Sequence, residues 1–296
     1  MTAQPVHHQA VSPHNGFQQN VFHQGWSLDD VCWYAFDAAA VDPTMLAAIK
    51  AAALVEYNAP DYVAYLKAVF HDQPTETLDW IEQWGAEERQ HGRALGRWAE
   101  LADPSFKLED AFARFRLGYR PAHLAAPGEA SVRGSRRGEM IARCVVESGT
   151  SSYYSAIRDA TDEPVLKEIA GRIAADEYRH YKLFYETLQA QNEPDLPFWK
   201  KIWVAATRVR ESDDDELAFA YYCANVPAAE EVARPYNRKL YSRRAAHTGM
   251  TIYRRRHIQK LVQMVAKVIG ADPHGKLANW GGAILWRFMQ KKAAAA

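Results

Sequence analysis

From residue 42 onward the apolar positions recur at helical spacing, and no segment of any length alternates with period two. Asp42-Pro43 reads as an N-cap followed by proline at the first helical position. Met45, Leu46, Ile49, Ala53 and Val55 continue that helix, and Pro60 interrupts it before it resumes through Tyr62, Tyr65, Leu66 and Val69. A second helix is expected over about 75–102, with Leu78, Ile81, Trp84, Leu95 and Trp98 as its apolar positions. Gly118, Pro121, Pro127, Gly128, Gly134 and Gly138 mark the longest internal loop. A third helix follows over roughly 139–159 and a fourth over 164–191. The pattern predicts an all-α protein with four long helices as its core.

Composition narrows the class without naming a function. The 296 residues carry 36 Lys+Arg and 36 Asp+Glu, so overall charge gives no pointer to nucleic acid, and no nucleic-acid partner is expected. Cys32, Cys144 and Cys223 are odd in number and far apart, which argues against a disulfide scaffold or a thiolate zinc site and fits a reducing cytosol. No apolar run approaches the ~20 residues of a membrane span, and the start of the chain lacks the pattern of a signal peptide. Residues 1–25, with His7, His8, His14 and His23, read as a flexible, solvated arm. Charge is divided unevenly: residues 197–296 hold a surplus of ten positive charges, and residues 1–196 carry the balancing deficit. The basic part includes a helix expected over 251–269, with Ile252, Ile258, Leu261, Val262, Val265 and Val268 towards one side. Such a helix can cover the bundle, or dock on an anionic membrane or an acidic protein.

Two segments contain Glu-x-x-His: Glu88 to His91 on the second helix and Glu177 to His180 on the fourth. Residues three apart share a helix face, so a carboxylate and an imidazole can reach one metal ion. With eleven histidines in the chain, chance alone could supply such a pair, so the arrangement has to carry the argument. Glu56 lies mid-helix before the first motif and Glu147 mid-helix before the second, each preceded by apolar residues. A lone glutamate there would cost several kcal/mol unless paired or bound to a cation. The order Glu, Glu-x-x-His, Glu, Glu-x-x-His is that of a carboxylate-bridged dinuclear site in a four-helix bundle. Four carboxylates and two imidazoles suit iron, or manganese in one position, better than zinc or copper. Glu88 and Glu177 are placed to bridge, Glu56 and Glu147 to bind terminally, and His91 and His180 to bind one ion each. Asp176, beside Glu177, is a candidate to hold the far ring nitrogen of a ligand histidine.

The local text resembles that of the soluble acyl-carrier-protein desaturases of the ferritin-like superfamily. Glu56-Tyr57-Asn58-Ala59-Pro60-Asp61-Tyr62 is similar to the family's E-E-A-L-P-T-Y, and Trp84 to Gly92 is similar to W-T-A-E-E-N-R-H-G. Ile173 to His180 resembles I-A-A-D-E-K-R-H, and Glu147-Ser148-Gly149-Thr150 stands where the family has E-R-A-T. Val146 and Ser148 depart from the family's glutamine and arginine at those places, and the likeness fades outside about 40–195. The resemblance implies a ferritin-like four-helix bundle with additional C-terminal helices. It further implies two iron ions held by Glu56, Glu88, His91, Glu147, Glu177 and His180, O₂ as co-substrate, and a ferredoxin-like electron donor. The implied reaction removes hydrogens from two adjacent methylenes of an acyl chain on an acyl carrier protein, in a cytoplasmic homodimer.

Within that reading Thr150 would bond an oxygen species or deliver a proton; a bond to its own helix backbone is the plainer alternative. Ser148, Gly149, Ser151 and Ser152 would leave room for an acyl tunnel, or else form a tight packing face. The expected organisation is an arm (1–25), a di-iron bundle (26–196) and a basic helical extension packing on it (197–296). The alternatives are a di-iron oxygenase acting on another long-chain lipid, with peripheral contact at the inner membrane surface, and a non-catalytic ferritin-like iron-binding protein.

Overall fold

The computed structural model describes residues 25–211 and 215–294; nearly all of the arm expected over 1–25 lies outside the described residues. All the regular structure of the described residues is helical, with no strand among them. Three single-turn 3-10 helices between Leu28 and Ala40 lead into α1 (Pro43–Tyr57), which Asp42 caps by accepting the Met45 N–H. α1 does not merely bend at Pro60: it stops at Tyr57, and α2 (Ala59–Val69) starts with Pro60 in its first turn. Next come α3 (Thr75–Ala102) and α4 (Leu108–Gly118). A loop interrupted by a short helical turn, Ala122–Ala125, leads to α5 (Arg136–Ala160), which begins three residues earlier than the sequence pattern indicates. Ser135 explains that start, because its side chain accepts the Gly138 N–H. α6 (Pro164–Ala190) is capped by the buried carboxylate of Glu163, which also accepts the Trp98 indole N–H and the Asp37 backbone N–H.

The long helices pack in two antiparallel pairs, α1 with α3 and α5 with α6, and α3 meets α6 between them. Gly92 sets the approach of α1 and α3: a Cβ there would come within 2.6 Å of the Tyr57 backbone nitrogen. α1 is alanine-rich because it is enclosed on nearly every side, with Ile49, Ala51, Ala53 and Leu54 essentially inaccessible.

The last hundred residues form α7 (Phe198–Glu211), α8 (Asp215–Asn225), α9 (Arg238–Ile252), α10 (Arg255–Ile269) and α11 (Lys276–Ala294). α8 lies along α1, while α7 and α10 lie along α5. Ala218, Tyr222, Cys223 and Tyr241 enter the same apolar core as Leu54, Trp98 and Ile169. The helix expected over 251–269 is in fact two. Arg254 is extended, its N–H is accepted by His257 Nδ1, and α10 starts only after it. No described helix is long and apolar enough to cross a membrane.

Candidate metal centre

Each of the four long helices delivers its glutamate to one point inside the bundle. Glu56 (α1), Glu88 and His91 (α3), and Glu177 (α6) bring ligand atoms within 4.8 Å of one another. Glu88, Glu177, Glu147 (α5) and His180 (α6) do the same. The two groups share Glu88 and Glu177, so each motif glutamate stands between two neighbouring positions. Each position adds one further glutamate and one histidine. All six side chains are buried.

The histidine tautomers follow from their neighbours. His91 Nε2 lies 2.9 Å from Asp176 Oδ2, and His180 Nε2 lies 2.8 Å from Glu87 Oε2. A carboxylate only accepts, so each Nε2 carries a proton and donates it, which makes Nδ1 the nitrogen that an ion would take. Both Nδ1 atoms point into the cluster, 3.2 Å from Glu177 Oε1 and 2.9 Å from Glu88 Oε1. Neither contact is aligned as a hydrogen bond, and both nitrogens are orphaned together with Glu88 Oε1, Glu147 Oε1 and Glu177 Oε1. Five buried ligand atoms without a hydrogen bond, gathered in one cluster, would be costly if its role were purely structural. Ions binding there would satisfy all of them, and the oxygen-rich set with neutral imidazoles fits a pair of divalent ions such as iron or manganese.

Electrostatics point the same way. Burial, then the charges of Glu88 and Glu177, push the Glu56 carboxyl well above its usual range. Burial and the Glu177 charge push Glu147 up to about 8. Glu88 is raised by burial and by Glu177. Burial would also raise Glu177, but its contact with His91 outweighs that and lowers it. Burial alone would lower both histidines; the surrounding carboxylates win, and both are held well above the ordinary imidazole value. In the absence of cations the cluster therefore retains protons that bound ions would displace.

Of the other candidates from the sequence, Asp176 stands behind His91. It also accepts the Trp26 indole N–H at 2.7 Å and pairs with Arg179. Thr150 Oγ1 lies 2.6 Å from Glu177 Oε2 and 3.3 Å from the Val146 and Glu147 carbonyls, so the ligand contact is shorter than the backbone ones. The small residues of α5 divide. Ser148, Ser151 and Ser152 are buried in helix packing and donate to the carbonyls of Cys144, Ala174 and His257. Gly149 instead faces open space.

That space is a cavity of about 430 Å³ between α1 and α5, roofed by α7 to α11. Its inner end is formed by Glu56, Gly149 and Thr150, and its walls are mostly apolar, with Ala48, Ala52 and Val145 among them and Arg208 and Glu216 as their charged members. Tyr154 lines it too, and its hydroxyl donates to Glu56 Oε1 at 2.5 Å. Sequence reasoning missed Glu87, Tyr154 and Trp26. Glu87 had a readable signal, because it precedes its motif glutamate as Asp176 precedes Glu177. No protein-family model matches the chain, and no curated protein matches it significantly.

Proposed function

We propose that the chain is a ferritin-like di-iron oxidoreductase that uses O₂ to desaturate a fatty acyl chain. The observation that carries this reading is the contact between two features: a buried four-carboxylate, two-imidazole cluster, and a mostly apolar cavity that ends at one of its residues, Glu56, and at Thr150, which is bonded to another, Glu177. A storage site needs the cluster and an ion path, whereas a lipid-sized apolar chamber beside it serves an apolar substrate.

Two bound iron ions would supply the oxidising chemistry. The substrate gives up two hydrogens from adjacent methylenes. A ferredoxin-like donor adds two electrons and solvent two protons, so that O₂ leaves as two waters and the chain gains one double bond. The residues of this chain hold and orient. Glu88 and Glu177 stand between the ion positions, Glu56 and Glu147 close the ends, and Asp176 and Glu87 fix the histidine tautomers. Thr150 is placed to pass a proton to or from Glu177 Oε2 at the cavity end. The alanine and valine walls exclude water and align the chain.

The test is to express wild type and Glu147→Ala in a bacterial host, count iron per chain, and compare acyl lipids and thioesters by mass spectrometry. A product two hydrogens lighter, absent in the variant, is the expected result. A product one oxygen heavier would replace desaturation with hydroxylation, and iron uptake far above two per chain would replace catalysis with storage.

A further inference from the structure

The outer surface of the C-terminal helices has a character unlike the rest of the molecule. On α7, Phe198, Trp199, Ile202 and Trp203 fall on one side, and Trp199 and Trp203 are 65% and 67% exposed. Val204, on the opposite side of that helix, and Ala205, at the edge of the stripe, are buried. On α11, Leu277, Trp280, Ile284 and Phe288 recur at spacings of three and four, and Trp280 is 72% exposed. The inner side of α11 is fixed by Ala278, which is buried, and by Gly282, where a Cβ would come within 2.3 Å of the Gln259 side chain of α10. The apolar stripe therefore faces outward by construction of the helix, not through loose packing. Soluble proteins seldom leave aromatic rows of this kind to water.

Charge accompanies the stripes. From Arg255 to Ala294 the chain has eight Lys or Arg and a single acidic residue, Asp272. Lys200, Lys276, Arg287 and Lys291 stand exposed on the same two helices. Exposed indole and aliphatic groups beside long cationic side chains are the composition of helices that lie in a bilayer interface, with rings at headgroup depth and cations on anionic phosphates. A second copy of this chain is the poorer occupant, because a two-fold contact through this face would set its positive charges against themselves.

Position supplies the link to chemistry. The cavity beside the metal cluster is bordered at its outer end by Val209 of α7, Leu217 of α8 and Leu285 of α11, and Val209 and Leu217 are themselves exposed. The two helices that carry the stripes thus edge the way in. We propose that this face seats on an anionic phospholipid surface, and that the acyl chain oxidised at the cluster is drawn from that bilayer rather than delivered by a soluble carrier. This rests on the acyl-chain reading above, and the tests separate the two.

Iron-loaded full-length protein is sedimented with vesicles of phosphatidylcholine and phosphatidylglycerol, and with phosphatidylcholine alone. Binding to the anionic vesicles is expected, weakened but not abolished by high salt. The surface variant Trp199→Ser/Trp280→Ser should lose at least tenfold in partitioning while keeping two irons per chain and an unchanged melting temperature. A wild type that ignores anionic vesicles overturns the proposal. So does a double variant that binds as well as wild type, or one that converts a stable dimer to monomer, which would assign the face to a second copy. Capture of an acidic carrier protein through these tryptophans, without vesicle binding, likewise overturns it. Failure of the vesicle test in protein that holds two irons and oxidises a soluble acyl thioester sinks only the docking proposal. Vesicle binding by protein that takes up no iron sinks only the di-iron reading.

Discussion

The two halves of the cluster repeat one pattern, yet different surroundings stand behind them. In both, a further glutamate, in the last turn of α1 in one half and in the middle of α5 in the other, pairs with a Glu-x-x-His helix, and an acidic residue beside the motif glutamate braces the histidine of the other half. Behind His91, Asp176 is buried and held by Trp26 and Arg179. Behind His180, Glu87 is only half-buried. The cavity side differs as well. Glu56 faces the cavity and takes a bond from Tyr154, whereas Glu147 is buried and does not line that cavity. A near-symmetric set of side chains therefore sits in an asymmetric shell, and the cavity between α1 and α5 meets it on the Glu56 half.

The largest effect should come from breaking what the halves share. Glu177→Ala removes a ligand from both ion positions, so bound metal is expected to fall from two ions per chain towards zero. Glu56→Ala should retain one ion, and metal analysis after gel filtration distinguishes the two outcomes. Next is Gly92→Ala, whose methyl would strike the α1 backbone and disturb only the α1–α3 half. Overpacking of this kind costs about 1–3 kcal/mol, to be read as a lowered denaturation midpoint.

Acidity tests the cluster as a whole. Glu147 has an ordinary value of 4.5 and is raised to about 8, and both histidines are raised as well. Raised groups bind more protons folded than unfolded, so their stabilisation is present at low pH and lost as pH climbs through that window. Chelator-treated protein should thus melt at lower temperature at pH 8 than at pH 5.5. Ion-loaded protein should show the opposite slope, since protons compete with metal for the same atoms.

How far the sequence reaches is clear from particular residues. Glu56, Glu88, His91, Glu147, Glu177 and His180 stand out because carboxylates on apolar faces need a partner, and all but Glu56, which ends a helix enclosed on nearly every side, lie on long helices with a clear apolar period. Tyr154 gives no such sign: a tyrosine seven residues after Glu147 looks like ordinary packing until α1 places Glu56 against it. Trp26 adjoins a stretch without periodicity, and only the fold brings it to Asp176. The cavity is hidden for the same reason, since its walls come from seven helices.

Two smaller tests sharpen the asymmetry. Asp176→Asn should weaken metal binding by about 10–100-fold, and Glu87→Gln should do less, because Asp176 organises three neighbours. Gly149→Leu fills open space at the inner end of the cavity, so it should leave metal content and melting temperature almost unaltered. Its expected signature is a shift of the product profile towards shorter chains, read by mass spectrometry.

The segment before α1 has a practical consequence for anyone trimming the protein. Trp26 bonds Asp176 through its ring and accepts Gln90 through its carbonyl, and the N–H groups of Cys32 and Asp37 are taken up by Glu168 and Glu163. This stretch acts as a clasp between the second and fourth long helices. A chain cut just ahead of Pro43 would keep all six ligands and every long helix, and should still hold its ions more loosely. The natural boundary for a minimal version of this protein therefore lies upstream of Trp26, well before the first ligand.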